Sequence, residues 1–216
     1  MSLMRRLFGP DLSPEQRGRL DAWRKLPDEG GRIVVVDVET KGLDPTRDAL
    51  ISIGAVAVRD GRIALGGGFS VVLRQKDASS RENILVHGIT GETQRQGLPP
   101  ADALLDFLEY LGKSPLVAFH VAFDETAIRR AMKEYLGLDF RHRWLDLAHV
   151  LPAIRPSLNL RTLDDWVHHF SIVIEERHDA LCDALATAEL LLIASKEMSY
   201  DRMRSIANRR SLGMQI

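Results

Sequence analysis

Cysteine is nearly absent from this chain of 216 residues: Cys182 stands alone, so no internal disulfide can form, and a reducing cytoplasm fits. No apolar run approaches the roughly 20 residues that a membrane-spanning helix needs. The amino terminus, M-S-L-M-R-R-L-F-G-P, has too short an apolar stretch for a secretory signal. A surplus of one charge is missing too, since 29 basic and 30 acidic residues leave a net charge of -1. That argues against a protein gripping duplex DNA along many phosphates. Gly66-Gly67-Gly68 lacks the Lys-Ser/Thr that a phosphate-cradling loop requires, and reads instead as a bulge in a strand. Internal repeats and low-complexity tracts are absent. One domain is the natural count at this length, and the 45% hydrophobic content is ordinary for a globular chain.

What is present is a set of four carboxylates and one histidine, drawn from three separate segments. They are Asp37 and Glu39 in I-V-V-V-D-V-E-T, Asp124 in F-H-V-A-F-D, and His178 and Asp183 in H-D-A-L-C-D. Hard oxygen ligands suit a pair of Mg²⁺ or Mn²⁺ ions, and the histidine supplies a proton acceptor. Two metals and a base are the parts needed to hydrolyse a phosphodiester.

Ile33 to Val36 is an unbroken β-branched run and reads as a central strand covered on both faces. Side chains alternate along a strand, so Asp37 and Glu39 project on one side while Val38 points into packing. Gly42 and Pro45 then break the strand into a loop. Leu116 to Phe119 reads as a second buried strand, and apolar residues from Ala127 to Tyr135 set a helix that begins near Asp124 and stops at Gly137. An aspartate there is commonly just a cap or a dipole partner. His120 is read as support for the strand–helix turn.

The third segment poses a geometric condition. Within one helix, five residues turn through about 500°, leaving His178 and Asp183 about 140° apart. Both can face one cleft only if His178 lies in the loop before the helix and Asp183 in its opening turns. Ala180 and Ala184 are small enough to let that helix approach a sheet closely.

Together the three segments resemble the DnaQ-like family of 3′→5′ exonucleases, in its DEDDh branch, and the chain is similar to the proofreading epsilon subunit of bacterial DNA polymerase III. The residues carrying the resemblance are Asp37-Val-Glu39-Thr40, Phe123-Asp124 and His178-Asp-Ala180-Leu-Cys-Asp183, with His87-Gly-Ile-Thr90 between them. The stretch covered runs from about Arg32 to about Leu192. Two departures stand out: Val121 replaces the frequent asparagine after His120, and Lys41 precedes Gly42-Leu43. The resemblance implies Asp37, Glu39, Asp124 and Asp183 as metal ligands for two ions and His178 as general base. It also implies substrate contacts from Thr40, Leu43, His87 and Phe123, with Leu43 as a wedge between the last two bases. The implied substrate is a single-stranded nucleic-acid 3′ end, with release of nucleoside 5′-monophosphates. Three readings stay open: a DNA exonuclease serving as a polymerase proofreader, an RNA 3′-end trimmer like RNase T or oligoribonuclease, and a polymerase-associated binding module. A 2′-hydroxyl separates DNA from RNA, and no residue in the sequence reads it. Leu7-Phe8 is similar to the end of a sliding-clamp-binding peptide that lacks its glutamine. The basic residues Arg5, Arg6, Arg202, Arg204, Arg209 and Arg210 are read as a solvated face.

The implied fold is ribonuclease-H-like: an α/β structure with a mixed five-stranded sheet and helices on both faces. Its first three strands form an antiparallel meander. The expected strands are Ala49 to Val58 and Arg62 to Leu73, joined at Asp60-Gly61, with a fifth at Trp144 to Leu147. Asp146 is read mainly as structural. Helices are expected at Pro100 to Leu111, Leu160 to Phe170, and Asp179 to about Arg210 with a break near Ser199. Residues 1–30 form a helical extension, with a helix from Ser13 to Lys25 capped by Ser13, Pro14 and Gln16. Residues 31–216 form the catalytic domain.

Overall fold

The computed structural model describes residues 10–28 and 30–213, without the side chains of residues 65 and 209–213. Leu7, Phe8, Arg5 and Arg6 lie outside the described residues, as do the side chains of Arg209 and Arg210. The first helix, α1 (Pro14–Arg24), starts as expected: the Ser13 hydroxyl accepts from the Gln16 N–H and the Gln16 side chain accepts from the Ser13 N–H. The central strand β1 (Arg32–Thr40) pairs antiparallel with β2 (Leu50–Arg59) along its whole length. Asp60 and Gly61 both have positive φ, 51° and 68°, which is the mirror-image turn that a two-residue hairpin prefers.

The expected third strand is two strands, so the sheet has six strands among the described residues. After β3 (Arg62–Ile63), residues Leu65–Gly67 wind into a single 3₁₀ turn, and β4 (Phe69–Val72) then resumes pairing with β2. Five residues, 64–68, are accommodated opposite Val56 and Ala57 alone, more than a simple bulge can absorb. The glycines allow the turn, while the flanking residues keep the register.

Two short helices follow, α2 (Arg81–His87) and α3 (Gly91–Gln96), capped by Ser80 and Thr90. Helix α4 (Pro100–Leu111) leads to β5 (Leu116–Ala118), which runs parallel to β1. Helix α5 (Val121–Leu136) begins three residues before Asp124, earlier than expected. His120, at φ 68°, turns the chain directly from strand to helix. Asp146 makes that turn possible: its carboxylate accepts from the backbone N–H groups of His120, Val121 and Ala148 at 3.0–3.2 Å. Asp146 ends β6 (Trp144–Asp146), which pairs parallel with β5, and α6 (Leu147–Ile154) follows at once. Helix α7 (Leu163–His169) is shorter than the expected segment. Helices α8 (Ala180–Ser195) and α9 (Tyr200–Gly213) are separated by the break expected near Ser199.

The alternation of β1 divides the core. Val34, Val36 and Val38 face a cluster shared with α4, α5 and residues Leu12, Leu20 and Trp23 of the N-terminal segment. Val35 faces the other cluster, built with α6, α7, α8 and α9. Helix α1 is fixed to α4 by Arg19, whose guanidinium meets Asp106 at 2.6 Å and Glu109 at 2.7 Å, and by the Trp23 indole N–H, which donates to the Gly112 carbonyl at 2.8 Å.

One contact sets the spacing between sheet and helix. A Cβ added at Gly54, on β2, would lie 2.1 Å from the Ala180 carbonyl carbon and 2.2 Å from the Leu181 nitrogen. The amino end of α8 therefore rests on bare backbone. Gly54→Ala should lower the unfolding free energy by about 1–3 kcal/mol, the usual range for overpacking. Gly66→Ala, where an added Cβ meets nothing within 4 Å, should be close to neutral. Urea denaturation of both variants checks this; equal midpoints would show that α8 does not depend on the close approach.

Candidate active site

Asp37 and Glu39 lie on the face of β1 that carries Val35, the face covered by α8. Asp37 pairs across the sheet with Gly54, so the first carboxylate stands directly beside the point where α8 touches the sheet. Asp179 caps α8 through the Cys182 N–H at 2.9 Å. His178 precedes that cap at φ 60°, outside the helix, and Asp183 sits in the first turn. The geometric condition set by the sequence is thereby met. Donor atoms of Glu39, His178 and Asp183 all lie within 4.8 Å of one another.

Asp124 enters from the first turn of α5 and is buried. Backbone N–H groups of Val38 and of Asp124 itself favour its charged form. Asp183, also buried, accepts from the His178 N–H at 3.2 Å and from the Arg177 guanidinium. The other side of Arg177 holds Asp164, near the start of α7, at 2.5 Å. The sequence reading missed Arg177. Its place immediately before His178 was the available signal, but an arginine in a loop carries no periodicity to mark it.

Crowding shapes the electrostatics. Burial, then the charges of Asp124, Glu39 and Asp183, push Asp37 well above the usual carboxylate range, with Arg177 partly offsetting them. Burial raises Asp124 as well, aided by Asp146 and Glu39. Glu39 is pushed up from 4.5 to about 8, mainly by burial and then by Asp183 and Asp179. A cluster of acids that resists ionisation is what an unbalanced cation site looks like without its ions. The donor set is all hard oxygen with one imidazole, and one of its oxygens already carries a cationic guanidinium. The residues present thus fit divalent ions.

The remaining residues singled out in the sequence divide by exposure. Leu43 is 93% exposed at the tip of the β1–β2 loop. That loop is fixed from below: Arg130 of α5 donates to the carbonyls of Pro45 and Asp48, and the Asp48 carboxylate accepts from the Asp44 N–H. Phe123 is partly exposed and packs against the first core cluster. Thr40 is buried, its hydroxyl donating to the Gly42 carbonyl at 2.5 Å, so it shapes the loop. His87 is buried as well; its Nδ1 accepts from the Ile89 N–H at 3.1 Å and holds the turn between α2 and α3. The Lys41 ammonium donates to the Asp77 carbonyl.

Comparison with known proteins bears on the family and the fold. The family model described as an exonuclease (RNase T) matches residues 34–191. The PolC-type DNA polymerase III of Thermotoga petrophila is 32% identical over 76% of this chain, and the match spans 12% of that protein. A DNA polymerase III epsilon-like protein of Rhodobacter capsulatus is 32% identical over 82% of this chain and 25% of its own length. The chain therefore spans only a small part of these relatives. In fold it is similar to Escherichia coli exonuclease I in complex with a dT13 oligonucleotide, with a TM-score of 0.65 and 19% identity over 76% of this chain and 41% of that one. It is equally similar to exonuclease X in complex with 5′-overhanging duplex DNA, with a TM-score of 0.65 and 21% identity over 81% and 99% of the two chains.

A pH dependence of stability follows from the raised carboxyls. Native Glu39 holds its proton to about pH 8 while the unfolded chain releases it near 4.5. Between those values the native state binds more protons, so stability falls as pH rises. The melting temperature of the chelated protein should therefore drop steadily from pH 5 to pH 8, and Glu39→Gln should flatten that slope. A melting temperature that climbed over this range would show that the carboxylates are not mutually repelling. The match over residues 34–191, on a ribonuclease-H-like sheet with acids gathered at the end of its central strand, places the chain in the exonuclease family.

Proposed function

We propose that this chain is a metal-dependent 3′→5′ exonuclease that removes nucleoside 5′-monophosphates from single-stranded DNA, with Mg²⁺ or Mn²⁺ as its ions. The observation that supports this most is the convergence of Glu39, His178 and Asp183 within 4.8 Å, beside Asp37 on the same strand face. DNA is favoured over RNA because relatives over most of the chain are DNA polymerase III proteins and a fold neighbour is bound to dT13. The same relatives support a role beside a DNA polymerase, for which proofreading is the proposed task. On this reading residues 31–216 are the catalytic domain, α1 is an extension docked on it, and the work is cytoplasmic.

Asp37, Glu39, Asp124 and Asp183 would hold two ions, which when bound supply Lewis-acid activation of water and charge neutralisation at the departing oxygen. The protein's own contribution is placement. Asp124 and Asp183 are buried, and Asp183 accepts from the His178 backbone N–H, so its oxygens are held before any ligand arrives. His178 is exposed, just outside the helix, where its ring can take the proton of an attacking water. It need not move the helix to do so. Leu43, on a loop braced by Arg130, offers an apolar surface to the terminal bases. Apolar packing of that kind tolerates any base, since every base has a flat face to present.

The test is digestion of matched DNA and RNA oligonucleotides, single- and double-stranded, labelled at the 5′ end. A ladder that shortens from the 3′ end on DNA, abolished by chelator, is the expected result; preferential loss of the RNA would move the chain to the trimming class. His178→Ala should bind Mn²⁺ as the wild type does and lose about 10²–10⁴-fold in kcat. Near-normal turnover would remove His178 from the reaction.

Leu43→Ala should impair long strands through KM or kcat while sparing a minimal thymidine-monophosphate ester. Equal losses on both substrates would assign Leu43 to the fold.

A further inference from the structure

The Arg177 guanidinium forms a bridge between two acids on different helices. One is Asp183, whose side chain is 6% exposed, and the other is Asp164, at 65%. Asp183 is also one of the proposed ion ligands, and its Oδ1 is the atom that Arg177 engages. A guanidinium and a divalent ion cannot share that oxygen without severe like-charge repulsion. Asp164 lies outside the carboxylate cluster, faces solvent, and holds the Nε of the same side chain.

We propose that Arg177 is a displaceable counter-cation: it neutralises Asp183 in the metal-free protein, and ion binding transfers it wholly to Asp164. The inference rests on the metal-site reading above and adds what sets the ion affinity. The two helices have distinct parts in it. Asp183, on α8, is the contested ligand. Asp164, on α7, is the partner that keeps the expelled arginine out of bulk solvent competition and lowers the cost of expelling it. Arginine suits this duty better than lysine, because its planar fork can hold two carboxylates at once and release one of them. The arrangement also explains how Asp183 tolerates burial among Asp37 and Glu39 before any ion is present.

The contact and the ion exclude each other, so their effects are reciprocal, on the order of 5–150-fold for linkage of ordinary strength. Calorimetric titration of the full chain with Mn²⁺ tests this. Arg177→Gln should tighten Mn²⁺ binding by about tenfold and enlarge the metal-induced rise in melting temperature. Asp164→Asn, at an exposed position that the fold can spare, should weaken binding several-fold. Simple through-space electrostatics predicts the same two signs, so the double variant is decisive. If Asp164 acts through Arg177, its substitution has no effect in the Arg177→Gln background. Additive effects, or an unchanged affinity in Arg177→Gln, would overturn the inference while leaving the metal site standing. A wild-type chain that binds no Mn²⁺ would overturn both.

Discussion

The site depends on one steric fact: helix α8 is seated on the backbone of β2 at Gly54, with no side chain between them. Gly54 pairs with Asp37. The acid on the central strand and the start of the helix are therefore brought together by the same residue. A methyl group there would lift the amino end of α8 and carry Asp179, His178 and Asp183 away from the strand as a unit. Ala180 and Ala184 complete the approach from the helix side, both buried.

The cost of this closeness is electrostatic. Packing holds Asp37, Glu39, Asp124 and Asp183 together, and burial and neighbouring carboxylates push Asp37, Glu39 and Asp124 upward. A structure selected for stability alone would relieve such crowding. The fold offsets part of it locally, through backbone N–H groups on Asp124 and Asp183 and through Arg177. The part left over is available to any cation that enters. Stability and ion affinity thus draw on the same interactions with opposite sign.

How much of this could be read from the sequence depends on whether the signal was local. The Ser13 capping box, the Asp60-Gly61 turn and the β-branched run before Asp37 each specify structure within a few residues, and each is found where the pattern put it. Helices α2 and α3 were missed because six or seven residues are too few to display a helical period. Helix α6 was missed because Pro152 interrupts its pattern. The true start of α5 was hidden by His120, whose left-handed backbone is bearable only because Asp146, 26 residues later, accepts from the two N–H groups there. Gly54 had a legible trace, an isolated glycine in a strand otherwise rich in Val and Ile, which marks a close approach as often as a weakness. Arg177 had only its place beside His178, since its partners lie 6 and 13 residues away on separate helices.

The same local-versus-distant distinction bears on Leu43. Leu43 is 93% exposed, which for a single apolar side chain on a surface loop is ordinary. Here the loop is held in place. Asp44 and Asp48 tie its backbone to itself, Arg130 ties it to α5, and the Thr40 hydroxyl closes its base. On the other side, the Asn83 amide at the start of α2 donates to the Lys41 carbonyl. Ordering those residues costs conformational entropy, and burial of Leu43 returns none of it. The rigid mount keeps Leu43 where the proposed contact with the terminal bases would need it. On the proposed function, the bases of a strand whose last phosphate reaches the carboxylates are the partner that this fixed position suits.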